Sequence, residues 1–320
     1  MTKSAHLAKT FTRLLFPVVL LVLMSVAAGS IYLIYTIARP VKSTYLVRPE
    51  KYGQLSTRAA QVTDETWANR DGTASRGWLL RGVDNGPAVI LLHKYGADRS
   101  YVLNLGVKMN ESTNFTVLMP DQRAHGENPT VQNTSFGGCE TEDLNAAIEF
   151  LRNLKTPNSI TLVGKNIGIF GVEMGALVAI TAAADNSSIK AVALDSVPAD
   201  SNEIVGETVE RRYPFVSFAT SKLAKLGTYM YFFDGCYQRQ PVCETARSMD
   251  NRDVLLLAGV DAAHFQESTS KLTKCFPSTS RVAGKTDLSP SGFGIINASM
   301  EQSAAYDQRL IDFFRASLSE

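Results

Sequence analysis

The sequence predicts an α/β protein with a mostly parallel central sheet that carries helices on both faces. Five short apolar runs are typical of buried strands, at residues 87–92, 115–119, 166–170, 191–195 and 253–259. Helical patterns lie between or after them, around residues 101–109, 140–154, 174–184 and 266–274. Strands that alternate with helices in this way form parallel sheets, because each return crossing needs a helix over one face.

Two further segments frame this alternation. Residues 61–80 alternate apolar and polar positions on both sides of Asp71-Gly72, a dipeptide that favours a β-hairpin. The last segment, "EQSAAYDQRLIDFFRASL", has the periodicity of an amphipathic helix. We expect the hairpin to open the sheet and the helix to close the chain.

The N-terminus contains an uncharged apolar run at residues 14–38, bracketed by Arg13 and Arg39. Its length suffices for a hydrocarbon core of roughly 30 Å, so it predicts one transmembrane helix. The alternative is a cleaved signal peptide, since "SVA" precedes Ala28. The apolar run continues past that point as "IYLIYTIA", which favours an anchor.

The predicted organisation follows from this anchor. We expect a tail at 1–13, the transmembrane helix at 14–38, a stalk at 39–52 and a body at 53–320 with a short cap segment at about 200–250. The basic residues on the two sides of the helix do not decide its orientation. A short tail before a large body favours a single-pass protein with an extracytoplasmic body.

Composition limits the possible partners and cofactors. The chain has 32 basic and 31 acidic residues, so it lacks the basic excess of a nucleic-acid-binding protein. The four cysteines are Cys139, Cys236, Cys243 and Cys275. Cys236 and Cys243 could close a small loop in an oxidising compartment, or all four could be free thiols. Their spacing is not that of a zinc site, and we expect no metal and no cofactor.

Four motifs stand at the ends of predicted strands: "LLHKYGADRS", "PDQRAHGEN", "GIFGVEMGALVA" and "DVLLLAGVDAAHF". Their order resembles that of the α/β-hydrolase superfamily, in particular serine hydrolases with a short cap. The resemblance runs from about residue 62 to the C-terminus. It implies an oxyanion loop, a structural turn, a nucleophile elbow and an acid loop at these four places.

The elbow departs from the family at its tip. Gly171 and Gly175 satisfy the demand for small residues around a tight strand-to-helix turn, but Glu173 stands where the resemblance implies a serine. The implied donors to an oxyanion are the backbone amides of Tyr95 and Met174. In that loop His93 is kept, whereas Lys94 replaces a glycine.

The other members of a catalytic triad are also altered. Asp261 stands one residue before the position implied for the acid. No histidine follows the last strand, where the resemblance implies the base. His93 and His125 are expected to be structural, and His264, in the acid loop, would have to reach the elbow to replace that base. A missing base removes roughly 10²- to 10⁴-fold of rate.

Lys94 and Glu173 have opposite charges on two loops that face each other across the implied active site. We hypothesise that they form an ion pair that fills the site. The alternative is that Lys94 reaches solvent and Glu173 is hydrated.

Three functions remain open at this point. The first is a membrane-anchored α/β-hydrolase-fold protein without serine-hydrolase activity, which binds an unknown small molecule or protein through the old pocket or the aromatic segment at 213–233. The second is an atypical hydrolase that uses Glu173 as base or nucleophile, helped by Lys94, Asp261 or His264. The third is ordinary esterase or peptidase activity.

Overall fold

The computed structural model describes residues 2–41, 44–52, 61–127, 129–156, 158–214 and 217–319. The strands are β1 (Val62–Ala68), β2 (Ala74–Leu80), β3 (Gly86–Leu92), β4 (Thr116–Pro120), β5 (Val163–Val172), β6 (Ile189–Asp195), β7 (Asp253–Gly259) and β8 (Arg281–Leu288). The helices are α1 (Thr2–Ile37), α2 (Pro49–Tyr52), α3 (Leu103–Thr113), α4 (Gly138–Asn153), α5 (Met174–Asp185), α6 (Ser201–Arg212), α7 (Ser217–Tyr231), α8 (Val242–Ala246), α9 (Ala263–Leu272) and α10 (Met300–Leu318).

The strands form one eight-stranded sheet in the order β1-β2-β4-β3-β5-β6-β7-β8. The pairs from β3–β4 through β7–β8 are parallel, whereas β1–β2 and β2–β4 are antiparallel. This confirms the predicted fold class. The five apolar runs became β3 to β7, and β1 and β2 form the hairpin around Gly72, whose φ of 81° suits glycine.

Strand β8 was not among the predicted apolar runs. It lies at the edge of the sheet, and only Leu288, its last residue, is buried. An edge strand with exposed faces needs no apolar residues, so its sequence carries neither the continuous nor the alternating pattern.

The core of the body lies between the sheet and its flanking helices. On one side, side chains of β3, β4 and β5 pack against α3 and α10 in a single cluster that includes Phe170 and Phe314. Helix α5, which follows β5 directly, is buried over most of its length because it reads "MGALVAITAAA". A helix that is apolar all round must be covered all round. The elbow therefore connects two buried elements, the end of β5 and the start of α5.

The chain divides into two compact units, one made of Met1–Ala38 with Val205–Asp234 and the other of Arg39–Ile204 with Gly235–Glu320. In the first unit α7 packs against α1. Gly227 allows the close approach, because a Cβ there would lie 2.3 Å from the Ser30 carbonyl oxygen and 2.7 Å from Ile34 Cγ1. The segment predicted as a cap thus contributes α7 to the same unit as the N-terminal helix.

Helix α1 includes the predicted transmembrane segment and also most of residues 1–13, which were expected as a tail. Its portion Leu15–Ile37 has 23 residues and a mean hydropathy of 2.3, which is long and apolar enough to cross a membrane. A signal sequence near an N-terminus passes the same test.

The cysteine pairing differs from the loop considered above. The disulfides join Cys139 to Cys236 and Cys243 to Cys275, so Cys236 and Cys243 do not pair with each other. The sequence separations are 97 and 32 residues. Neither alternative considered from the sequence, a Cys236–Cys243 loop or free thiols, is observed, because the fold brings the start of α4 beside Cys236.

Candidate functional site

The elbow has the strained backbone that the glycine spacing predicts. Glu173 has φ 50° and ψ −109°, a conformation that non-glycine residues rarely adopt. A Cβ on Gly171 would lie 2.2 Å from the Gly175 carbonyl oxygen, and one on Gly175 would lie 2.7 Å from the Leu92 carbonyl oxygen. Both glycines are therefore required by close backbone contacts, and the turn presents residue 173 at its tip.

The Glu173 side chain folds back onto the two amides that the resemblance assigns to the oxyanion. Its Oε2 accepts hydrogen bonds from the backbone N–H of Tyr95 at 2.7 Å and of Met174 at 3.2 Å. The residue is 0% exposed. The N-terminus of α5 favours a negative charge at this point, because its first amides and its dipole are directed at it. A carboxylate oxygen thus occupies the position of an oxyanion.

The Lys94 side chain contacts the loop after β8. Its Nζ donates to the Phe293 carbonyl oxygen at 2.6 Å and lies 3.9 Å from the centroid of the Phe293 ring. The Tyr101 ring is 5.4 Å from the same ammonium. The hydrogen bond to the carbonyl oxygen and the two aromatic rings stabilise the charge of this partly buried lysine. A direct ion pair with Glu173 stays a prediction.

The acid loop places Asp261 against the loop after β8. Asp261 Oδ1 accepts from the Ser291 backbone N–H at 2.9 Å, and Oδ2 accepts from the Ser291 hydroxyl at 3.1 Å. Ser291 is fully buried and lies after the last strand, in the segment where the resemblance implies the histidine. The sequence showed that no histidine follows the last strand, but it did not identify Ser291 as the partner of Asp261, since a serine in "LSPSGFG" carries no distinguishing pattern.

His264 lies on α9, one helix position beyond the acid loop, and its side chain is exposed. His264 lies close enough to Glu203 to affect its ionisation. The pKa of Glu203 is raised, chiefly because the carboxyl is buried, and His264 opposes that rise. Glu173, in contrast, is fully buried. The structure therefore does not bring His264 into the elbow in place of the missing base.

His93 and His125 have the structural contacts expected of them. The Nε2 of His93 accepts from the Gln122 backbone N–H at 3.1 Å, and that of His125 accepts from the Gly96 N–H at 3.0 Å. Their Nδ1 atoms face the carbonyl oxygens of the Lys94 and Arg123 main chain at 2.8 and 2.7 Å. Burial lowers the pKa of His93 to about 4 and that of His125 to about 3, so both rings are neutral.

A second carboxylate near the site was recognised in the sequence only as a strand end. Asp195 closes β6, is fully buried, and accepts from the Tyr306 hydroxyl at 2.7 Å, the Gly292 N–H at 2.9 Å and the Ser196 hydroxyl at 2.7 Å. Burial raises its pKa. These bonds join α10 and the loop after β8 to the sheet.

Two further features bear on ligands. Among the described residues, no group of three or more His, Cys, Asp and Glu side chains could hold a metal ion.

A cavity of about 650 Å³ lies between α3 and α10, with an apolar wall that includes Leu105, Phe170 and Ile295, and a polar edge formed by Lys108 and Asp307. Lys94, Tyr95 and Glu173 do not line it. The cavity reaches the elbow only through Val172, the residue before Glu173.

No protein-family model matches the chain. Over 115 residues it is 27% identical to a thiohydrolase of Eupenicillium brefeldianum, a stretch that covers 36% of each protein. Over 123 residues it is 28% identical to thiohydrolase aneE of Aspergillus aculeatus, covering 38% of this chain and 37% of that one. The chain therefore matches little more than a third of the length of these curated relatives.

Solved structures agree over much more of the chain. A Pyrococcus furiosus esterase superposes with a TM-score of 0.63 at 19% identity and covers 88% of this chain and 98% of its own. The α/β-hydrolase GrgF from Penicillium sp. sh18 superposes with a TM-score of 0.57 at 14% identity and covers 81% of this chain and all of its own. The resemblance seen in the sequence is thereby confirmed at the level of the fold: the chain has the fold of the α/β-hydrolase superfamily.

Proposed function

We propose that this protein is a membrane-anchored α/β-hydrolase-fold protein that lacks serine-hydrolase activity and acts by binding. The observation that carries the proposal is the position of the Glu173 carboxylate, whose Oε2 accepts hydrogen bonds from both oxyanion-hole amides at 2.7 and 3.2 Å. A substrate carbonyl needs the same two donors. It would have to displace a tethered, charged acceptor with a neutral one, whose hydrogen bonds are about half as strong.

The missing base supports the same proposal. Acyl transfer to a serine needs an imidazole or an equivalent base beside the nucleophile. Asp261 instead bonds Ser291, and both described histidines near the elbow are buried, neutral and bonded to backbone groups. A nucleophile placed at residue 173 would therefore lack a proton acceptor.

A binding role has a candidate site in the cavity between α3 and α10. Its volume of about 650 Å³ lies in the range of small-molecule pockets, roughly 300–1,000 Å³. Its lining is mainly apolar, with Asn104, Lys108 and Asp307 joined by hydrogen bonds at one edge. The chemistry of that lining suits an apolar molecule with one polar group.

The membrane anchor and the outward body are part of the proposal. Helix α1 supplies the span, and it continues without interruption past the possible cleavage point at Ala28. All four cysteines are in disulfides, which persist in oxidising compartments and are rare in a reducing cytoplasm. The disulfides favour an extracytoplasmic body.

The alternative is an atypical hydrolase of the same superfamily with Glu173 as base or nucleophile. The strained elbow favours it, because φ 50° at Glu173 keeps the presentation that a nucleophile uses. The partial match to thiohydrolases is consistent with it. This function would require the carboxylate to leave the two amides.

The decisive experiment treats the full-length protein in detergent micelles with a fluorophosphonate probe and with short-chain esters and thioesters. We expect no labelling and no turnover by the wild type, by Glu173→Gln or by Glu173→Ser. Ester hydrolysis that Glu173→Gln abolishes would support the alternative. The variant Glu173→Ser/Ser291→His, which adds an imidazole beside Asp261, is the matched test of the missing base. If this variant alone is labelled, the inactivity of Glu173→Ser is due to the missing histidine.

A further inference from the structure

Helix α7 presents a continuous stripe of exposed side chains. Its members are Lys222, Lys225, Leu226, Tyr229, Met230 and, just past the helix end, Phe233. The spacing of three and four residues places them on one helical face. Residues 224, 227 and 228 on the other face are buried. We call this exposed face the α7 stripe.

The stripe is polar at one end and apolar at the other. The two lysines come first, and the four large side chains that follow are exposed by 42% at Leu226, 55% at Tyr229, 41% at Met230 and 84% at Phe233. Four large apolar or aromatic side chains on one face form a contiguous surface of a kind that marks a membrane or protein contact.

The packing of α7 on α1 gives this surface a direction. Arg212, which precedes α7, donates to the Thr36 carbonyl oxygen, whereas Gly227 lies against Ser30. The chain therefore runs back along α1 toward its earlier residues. The apolar end of the stripe follows Gly227, so it is directed toward the α1 residues that precede Ser30, where Met24 and Val26 are themselves exposed.

We propose that the α7 stripe binds the surface of an anionic lipid bilayer. Leu226, Tyr229, Met230 and Phe233 would enter the boundary between headgroups and acyl chains, and the two lysines would face lipid phosphates. Aromatic residues are favoured at this depth. The proposal rests on the anchoring of the chain by α1, and it is continuous with the apolar surface of that helix. It gives the aromatic segment at 213–233 a lipid partner.

The test uses the full-length protein in vesicles of phosphatidylcholine and phosphatidylglycerol, with and without brominated acyl chains, which quench nearby tryptophan. Met230→Trp reports the stripe, Leu20→Trp reports the span, and Ile160→Trp, at a body position that is 47% exposed, is the control. The native Trp67 and Trp78 are buried, at 7% and 4% exposure, and give a constant background. We expect blue-shifted, bromine-quenched emission at residues 20 and 230 and neither effect at residue 160.

The outcomes separate the two proposals. Quenching at residue 20 without quenching at residue 230 overturns the lipid contact but leaves the anchor. If residue 230 is then blue-shifted, a second copy or a protein partner covers the stripe. Absence of quenching at both positions overturns the anchor and, with it, this inference.

A charge reversal tests the lysines separately. We expect Lys222→Glu/Lys225→Glu to reduce the quenching of Met230→Trp in vesicles that contain phosphatidylglycerol and to leave it unchanged in phosphatidylcholine alone. Equal quenching in both vesicles would show that the lysines do not recognise anionic lipid. Both lysines are exposed, so the substitutions leave the buried face of α7 intact.

Discussion

Replacement of Glu173 tests directly whether its carboxylate fills the oxyanion hole. The substitution Glu173→Ala removes the acceptor of the Tyr95 and Met174 amides. It keeps the Cβ, and therefore the strain of φ 50° at the elbow. Glu173→Gly removes the same acceptor and also the strain, because glycine adopts positive φ readily. Glu173→Gln keeps a neutral oxygen acceptor of the same reach.

The expected magnitudes follow from these contacts. Each hydrogen bond to a charged group contributes about 1.5–3 kcal/mol, and the relief of burying a carboxylate offsets part of that sum. We expect Glu173→Ala to lower the free energy of unfolding by about 2 kcal/mol, which corresponds to roughly 4–8 °C in Tm for a body of this size. Glu173→Gly should be more stable than Glu173→Ala by about 1–2 kcal/mol, the cost of the strained backbone.

The assay is thermal unfolding of the full-length protein in micelles, with sodium acetate or sodium chloride at equal ionic strength. The atoms removed by Glu173→Ala are a methylene and a carboxylate, which acetate replaces closely. We expect acetate to raise the Tm of Glu173→Ala, by about 1.4 kcal/mol in stability when its concentration is about ten times Kd. Glu173→Gln, whose side chain still fills the hole, should not respond. A Glu173→Ala variant as stable as the wild type and indifferent to acetate would refute the placement of the carboxylate.

Two further predictions concern neighbouring charges. A double-mutant cycle of Lys94→Met and Glu173→Gln measures the predicted ion pair: a coupling of about 1 kcal/mol or more in the free energy of unfolding supports it, and additivity within about 0.5 kcal/mol contradicts it. For His125, burial lowers the pKa to about 3, so the unfolded chain takes up the proton first and stability falls as pH drops below about 6.5. Buried Asp121 and Asp143, with pKa values raised to about 6, act in the opposite sense. We therefore expect the stability difference between wild type and His125→Gln, followed by denaturant unfolding, to shrink by about 2 kcal/mol from pH 7 to pH 5. A difference that stays constant with pH would show that His125 is not held neutral.

Much of the fold could be predicted because burial leaves a mark on local sequence. Strand β3, and strand β7 after Asp253, are apolar since both faces are covered. Gly171 and Gly175 are spaced for the elbow because two backbone segments approach closely there. Strand β8 left no such mark, because an exposed edge constrains its side chains weakly.

The contents of the site were less predictable for a different reason. The resemblance implied two amides, those of Tyr95 and Met174, as oxyanion donors. A glutamate side chain at residue 173 can turn toward solvent, a lysine or those amides, and sequence spacing does not distinguish these rotamers. The contact between Asp261 and Ser291 spans 30 residues of chain, and the disulfide between Cys139 and Cys236 spans 97. Such pairs are set by how the sheet brings loops together, which no local pattern reports.

Three charged side chains around the elbow each bond another part of the protein. Glu173 bonds the two oxyanion-hole amides, and Lys94 bonds the Phe293 carbonyl. Asp261 is engaged in the same way by Ser291. A carbonyl substrate would have to break charge-assisted bonds and replace them with weaker neutral ones, while leaving a buried carboxylate without its donors. We therefore expect a carbonyl ligand to bind weakly at the elbow while Glu173 keeps these contacts, before any chemical step begins.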